Sequence, residues 1–180
     1  SQCRITQNFD EHNIEMLSKN SGTAYEIIED YSPMFTAGWP STSLCESLNL
    51  GVIPICDYLK DTLNFIGVIS TKEAIEIRDA GIETPILLLS EPIESDLPTL
   101  IANDISVTVY NKGKLGTIES YTSKTNQPIK THYKVDTGMI RQGKYWEHAE
   151  ESITTWLNSS PTLVKEGFYT HFANSEIKNH

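Results

Sequence analysis

The stretch His132 to Gly143, HYKVDTGMIRQG, brings Lys134, Asp136, Thr137 and Arg141 together where a β-branched run gives way to a glycine-containing loop. Loops at the C-terminal ends of barrel strands are where α/β barrels keep their catalysts, because those loops converge on one mouth. Arginine adds a permanently charged fork of donors suited to anions. Upstream, Ile129, Thr131, Tyr133 and Val135 alternate with Lys130, His132, Lys134 and Asp136, so the two sets point to opposite faces of a strand. If helices cover the outer face, the charged set looks inward and lines a site. The other reading is an edge strand with one solvated face. By residue type alone, Arg141 is equally a surface loop arginine, Lys134 an ion-pair partner of Asp136, and His171 a satisfied core histidine.

The elements that must position this row are legible from about residue 63 onward. Short apolar runs beginning at Leu63, Pro85, Ile105, Pro128 and Gly167 alternate with segments of helical period, the pattern of βα units and a parallel sheet. Ser70 and Glu73 form a capping box for a helix carrying Ala74, Ile77 and Ala80, which Gly81 stops. Asp96 to Ala102 is a short helix with Leu97, Leu100 and Ile101 on one face. Asn111 opens a third helix bearing Leu115, Ile118 and Tyr121. Trp146 to Leu157 is a fourth, with Trp146, Ala149, Ile153 and Trp156 on one stripe. No GxGxxG follows any strand, which favours a barrel over a dinucleotide-binding sheet. Asn8 to Leu17 and Val52 to Leu63 also have helical character, whereas 23–49 is irregular and reads as a loop or a foreign insertion.

Charge and composition exclude several function classes. Fourteen basic against 24 acidic residues leave a net charge of −10, a field that repels a nucleic-acid backbone. The GxxG at Gly113 to Gly116 is therefore a helix-start turn rather than an RNA-binding loop. Cys3, Cys45 and Cys56 show no CxxC and read as reduced thiols of a cytoplasmic protein. Apolar runs fall short of the ~20 residues needed to span a bilayer, so no membrane association is expected. Five histidines without HExxH or paired spacing give no support for a metal.

Lys134, Asp136, Thr137, Gly138, Met139, Arg141 and Gly143 make a K-x-D-T-G-M-x-R-x-G signature that resembles the pyridoxal-phosphate-dependent alanine racemase family. TKEAIEIRDAGI at 71–82, PILLL at 85–89, 107–110 and EGFYTHFA at 166–173 extend the resemblance in the same order, over roughly 50–176. The resemblance implies a partial (β/α)8 TIM-type barrel, irregular near its start and incomplete at its C-terminal side, forming one domain over 1–180. It also implies pyridoxal 5'-phosphate as cofactor, a small amino acid as substrate, interconversion of L- and D-alanine for peptidoglycan precursors, and a homodimeric family.

By the same resemblance, Arg141 donates to the cofactor's phenolate oxygen and steers the substrate carboxylate, and Lys134 corresponds to a lysine often carbamylated in the family, whose anionic form holds the arginine. His171 lies by the cofactor ring, Leu89 packs against the cofactor from its strand end, and Met139 belongs to the same cofactor-binding loop. The family's Schiff-base lysine sits in a pattern like V-K-A-N-A-Y-G-x-G, of which only Leu50, Gly51 and Val52 remain. SLCESLN at 43–49 contains no lysine. The later strands and C-terminal domain of the family find no counterpart before His180, and Ile140 stands where relatives carry a smaller or polar residue. Little or no racemisation by this chain is expected. The alternative is a non-catalytic barrel that binds the cofactor, another phosphorylated ligand or a protein partner.

Overall fold

The computed structural model describes residues 52–60 and 63–171. The expected helix at Asn8 to Leu17, the irregular 23–49 stretch and the end of the EGFYTHFA run lie outside them. The chain divides into two compact units, one running to Pro85 and one from Ile86 to Ala173.

The first unit holds α1 (Val52–Leu59), β1 (Ile66–Val68) and α2 (Thr71–Asp79). The expected capping box is present: the Ser70 hydroxyl accepts from the Glu73 amide, and the Glu73 carboxylate accepts from the amides of Ser70 and Ile69. Ala74 and Ile77 are buried as their spacing predicts, but Ala80 is exposed, because the helix ends at Asp79 and Gly81 turns the chain at a φ of 79°. Arg78 ties that turn down by donating to the carbonyls of Ile82 and Thr84. Burial pushes the Cys56 thiol up to about 12, so it behaves as a small apolar side chain.

The second unit contains β2 (Ile86–Leu88), α3 (Leu97–Ala102), β3 (Ile105–Val109), α4 (Lys112–Thr125), β4 (Ile129–Asp136), β5 (Lys144–Tyr145), α5 (Ala149–Leu157) and β6 (Leu163–Thr170). All strand pairs are parallel. β2 pairs with β3, β3 with β4, and β4 with both β5 and β6. β2 and β3 are buried at every residue, as expected of strands covered on both faces. β4 is hydrogen-bonded on both edges, which overturns the edge-strand reading. Its apolar set faces the helices: Trp156 of α5 stacks on Tyr133 with ring centroids 5.6 Å apart, and its indole N–H donates to the Thr131 hydroxyl at 2.9 Å. Such an aromatic pair contributes about 1 kcal/mol beyond the area it buries. The arrangement is that of a partial α/β barrel.

Two expected boundaries move. β6 begins at Leu163, four residues before the predicted Gly167. The fourth helix starts at Ala149, because residues 146–148 form a tighter 3₁₀ turn that takes Trp146 off the apolar stripe and leaves it 55% exposed.

Candidate active site

The inner face of β4 carries Lys130, His132, Lys134 and Asp136 in layers, and each layer has its own partner. At the start, Lys130 pairs with Asp104 at 2.7 Å. Next, Glu166 of β6 reaches across to His132 Nε2 at 2.8 Å and also accepts from the Ser106 hydroxyl of β3 at 2.6 Å. One layer on, the Lys134 ammonium stands 5.4 Å from the ring centroid of Tyr169, a cation–π contact. Thr108 donates its proton to the Leu88 carbonyl at 2.7 Å, so the Tyr169 hydroxyl donates to Thr108 at 2.8 Å and is thereby fixed in place. The Leu89 carbonyl also accepts from Tyr169, at 3.4 Å.

Tyr169 and His171 reach this face because β6 contains a bulge. Thr131 pairs with Lys165 and His132 with Gly167, which leaves Glu166 as an extra residue. A bulge sets two residues opposite one and shifts the alternation of everything downstream. Without it, Tyr169 and His171 would share the outward parity of Leu163 and Lys165. Glycine suits the second bulge position, since a Cβ at Gly167 would sit 3.3 Å from the His132 ring.

Beyond β4 the chain folds back around Asp136. Its carboxylate accepts from the amides of Gly138 at 2.9 Å and Ile140 at 3.1 Å. Burial pushes the Asp136 carboxyl up, but these amides, with those of Arg141 and Met139, outweigh it and hold the group below the usual carboxylate range. Asp136 is therefore the anchor of the TGMIRQG loop. Among the described residues Lys134 has no carboxylate within ion-pair distance, so the reading that pairs it with Asp136 is replaced by this one. Gly143, at a φ of 117°, closes the loop against β4; a Cβ there would lie 2.9 Å from the Asp136 amide nitrogen.

Ile140 has a φ of 53° and is 82% exposed. Its side chain points into open space. The cost lies in the backbone, since a β-branched residue in the left-handed region is strained. Ile140→Gly is expected to raise stability by about 1 kcal/mol, read as a higher urea midpoint at unchanged slope. An unchanged or lower midpoint would show that the loop stores no strain there.

Lys134, Arg141 and His171 converge electrostatically. Lys134 is 4% exposed, and burial followed by the Arg141 charge brings its amine down to about 8, against a smaller opposing pull from Asp136. His171, half-buried, is lowered by burial and then by Arg141 and Lys134. The Arg141 charge thus disfavours protonation of both Lys134 and His171, while the nearby Asp136 charge is largely taken up by backbone amides. An anion would relieve this arrangement.

Lys134 and His171 both lie close enough to Arg141 to feel its charge, Leu89 stands just after β2 beside Tyr169, and Met139 is half-buried in the Asp136 loop. Sequence reasoning missed Ser106, Thr108, Glu166 and Tyr169. The polar residues Ser106 and Thr108 alternating through an otherwise apolar β3 were the available signal for two of them. Among the described residues no cluster fits a metal ion, and no helix is long and apolar enough to cross a membrane.

Comparison with known proteins gives a consistent result. The profile of the family described as "Alanine racemase, N-terminal domain" matches residues 47–180. An alanine racemase of Methanococcus maripaludis is 34% identical over 125 residues, covering 69% of this chain and 33% of that protein. An alanine racemase of Helicobacter pylori J99 is 34% identical over 127 residues, covering 68% and 33%. Among solved structures, the alanine racemase of Clostridium difficile 630 in complex with cycloserine superposes with a TM-score of 0.63 at 30% identity, over 68% of this chain and 34% of that one. A histidine racemase of Leuconostoc mesenteroides reaches a TM-score of 0.72 at 17% identity, a likeness of fold alone. The chain spans about a third of the length of the curated relatives it matches.

Proposed function

The chain belongs to the alanine racemase N-terminal domain family, and we propose that it binds pyridoxal 5'-phosphate and a small amino acid in the interconversion of L- and D-alanine. The observation that supports this most is the convergence of Lys134, Arg141 and His171 on one inner face, where no carboxylate among the described residues is within ion-pair distance of Lys134. Such a face fits a group carrying a phenolate together with a substrate carboxylate. Arg141 would hold both anions through its fork of donors. Lys134, in part uncharged near neutral pH, is the amine open to carbamylation, and the resulting anion would fix the guanidinium. His171, Leu89 and Met139 would line the ring. When bound, the cofactor supplies an electron sink for the bonds at the substrate's α-carbon.

Racemisation also needs groups that remove and return the α-proton, and none of these residues is assigned that task. With no lysine at 43–49, the chain is expected to bind but to racemise little. Titration with pyridoxal 5'-phosphate, followed by absorbance, should saturate, and Arg141→Ala should weaken binding about tenfold or more, as for one lost charge-assisted hydrogen bond. No saturable binding would remove the site reading, and robust turnover by the unmodified chain would remove the low-activity reading. The missing lysine also favours a second reading, a non-catalytic module for the cofactor or another phosphorylated ligand. Its expected signature is binding with no imine trapped by borohydride on any lysine.

A further inference from the structure

A second cavity lies on the opposite, helix-covered face of β4. It measures about 830 Å³ and opens between the start of α4 and the start of α5, above Tyr133, a size in the usual range of small-molecule sites. Two observations single it out. The Tyr133 side chain is 1% exposed, lines the cavity, and its hydroxyl has no hydrogen-bond partner. Ser152 of α5 faces it and favours its ionised form without closing a hydrogen bond to it. A buried hydroxyl left unsatisfied is costly, and native interiors keep few of them.

The lining also carries both signs of charge. Lys112, at the first position of α4, and Lys144 of β5 supply ammonium groups; Glu147, and Glu150 and Glu151 in the first turn of α5, supply carboxylates. A purely anionic ligand would be repelled by the glutamates and a purely cationic one by the lysines. A small zwitterion answers both signs, with its carboxylate toward the lysines, its ammonium toward the glutamates, and a carbonyl or amide in reach of Tyr133.

We propose that the cavity between α4 and α5 is a second ligand site, separate from the inner row, that takes a small zwitterion of amino-acid or dipeptide size and hydrogen-bonds it through Tyr133. The dipeptide alanyl-alanine is a suitable probe, because it carries both charges and a central amide.

The test uses the full chain and three variants. Calorimetric titration with alanyl-alanine should give saturable binding, which Tyr133→Phe weakens at least fivefold. Glu151→Lys, which removes one lining carboxylate and adds an ammonium group, should weaken it further. Arg141→Ala, at a residue that does not line this cavity, should leave it unchanged. Tyr133→Phe should also raise the melting temperature of the free protein, because it removes an unsatisfied hydroxyl, and that shift is read whether or not the probe binds. A lower melting temperature would show that the hydroxyl is paired within the fold and would overturn the proposal. So would absence of saturation at millimolar probe, affinity insensitive to Tyr133→Phe and Glu151→Lys, or affinity lost in Arg141→Ala, which would assign the probe to the inner row.

Discussion

Asp136→Ala is expected to destabilise the protein by about 3 kcal/mol and to weaken anion binding at the inner row. The stability figure is the sum of two hydrogen bonds to a charged acceptor, each ~1.5 to 3 kcal/mol, taken near the lower end because the loop is partly solvated. The carboxylate gathers the amides of Gly138 and Ile140. Once they are released, only the Thr137 hydroxyl on Thr170 and the close approach of Gly143 to β4 tie down the two ends of the TGMIRQG loop, and the span that carries Arg141 loses its central anchor. The pH dependence follows from the same contacts. The folded carboxyl lies below its usual range, so its contribution is fully present above the unfolded value of ~3.9 and is lost as pH falls through the folded value. Urea unfolding of parent and variant should therefore differ most near neutrality and converge in strong acid. Equal midpoints at neutral pH would mean that the loop keeps its shape without Asp136.

Deleting Glu166 should have the second large effect, and of a different kind. Removing the extra residue erases the bulge and restores strict alternation through β6, with Gly167 still opposite His132 and Tyr169 still opposite Lys134. Tyr169 and His171 therefore keep their inward facing, and the Tyr169 bond to Thr108 survives. What disappears is the Glu166 carboxylate, with its bonds to His132 and Ser106. At ~1.5 to 3 kcal/mol for each bond to a charged acceptor, about 3 kcal/mol of stability is lost. Anion binding at the inner row should persist in the folded fraction. Glu166→Gln is the control, since it keeps the residue count and one acceptor and should cost less. Loss of binding in a folded deletion variant would mean that β6 does not close up with Gly167 opposite His132.

These two residues also mark what was readable beforehand. The alternation of β4 separated its two faces, because a strand with one face on helices and the other on polar partners keeps a strict period of two, but it left open whether the charged face lined a site or met solvent at an edge. The start of α2 was equally plain, since Ser70 and Glu73 are bound by local geometry alone. β6 was legible only from Gly167 because the extra residue at Glu166 breaks the period, and the half before the bulge and the half after it obey opposite parities. The role of Asp136 was hidden for another reason. A carboxylate two positions from a lysine suggests an ion pair, whereas its real partners are backbone amides, which leave no mark in residue identity. The left-handed backbone at Ile140 was unreadable because the residue type argues against it. Trp146 kept helical spacing with Ala149, but spacing says nothing about a tighter turn.

β4 holds hydrogen bonds on both edges, to β3 and β5 on one side and to β6 on the other. Thermal fluctuations that peel a strand from a sheet begin where one edge is already free, and their cost rises with each further ladder that must break. A fluctuation that detaches β6 leaves His132 registered against β3 and Asp136 against β5, and one that opens β5 leaves His132 and Lys134 against β6. The row bearing the proposed chemistry therefore rides on a strand that the loss of no single ladder sets free, while the residues that must adapt to a ligand, from Thr137 to Gln142, hang from its end and can rearrange without disturbing it.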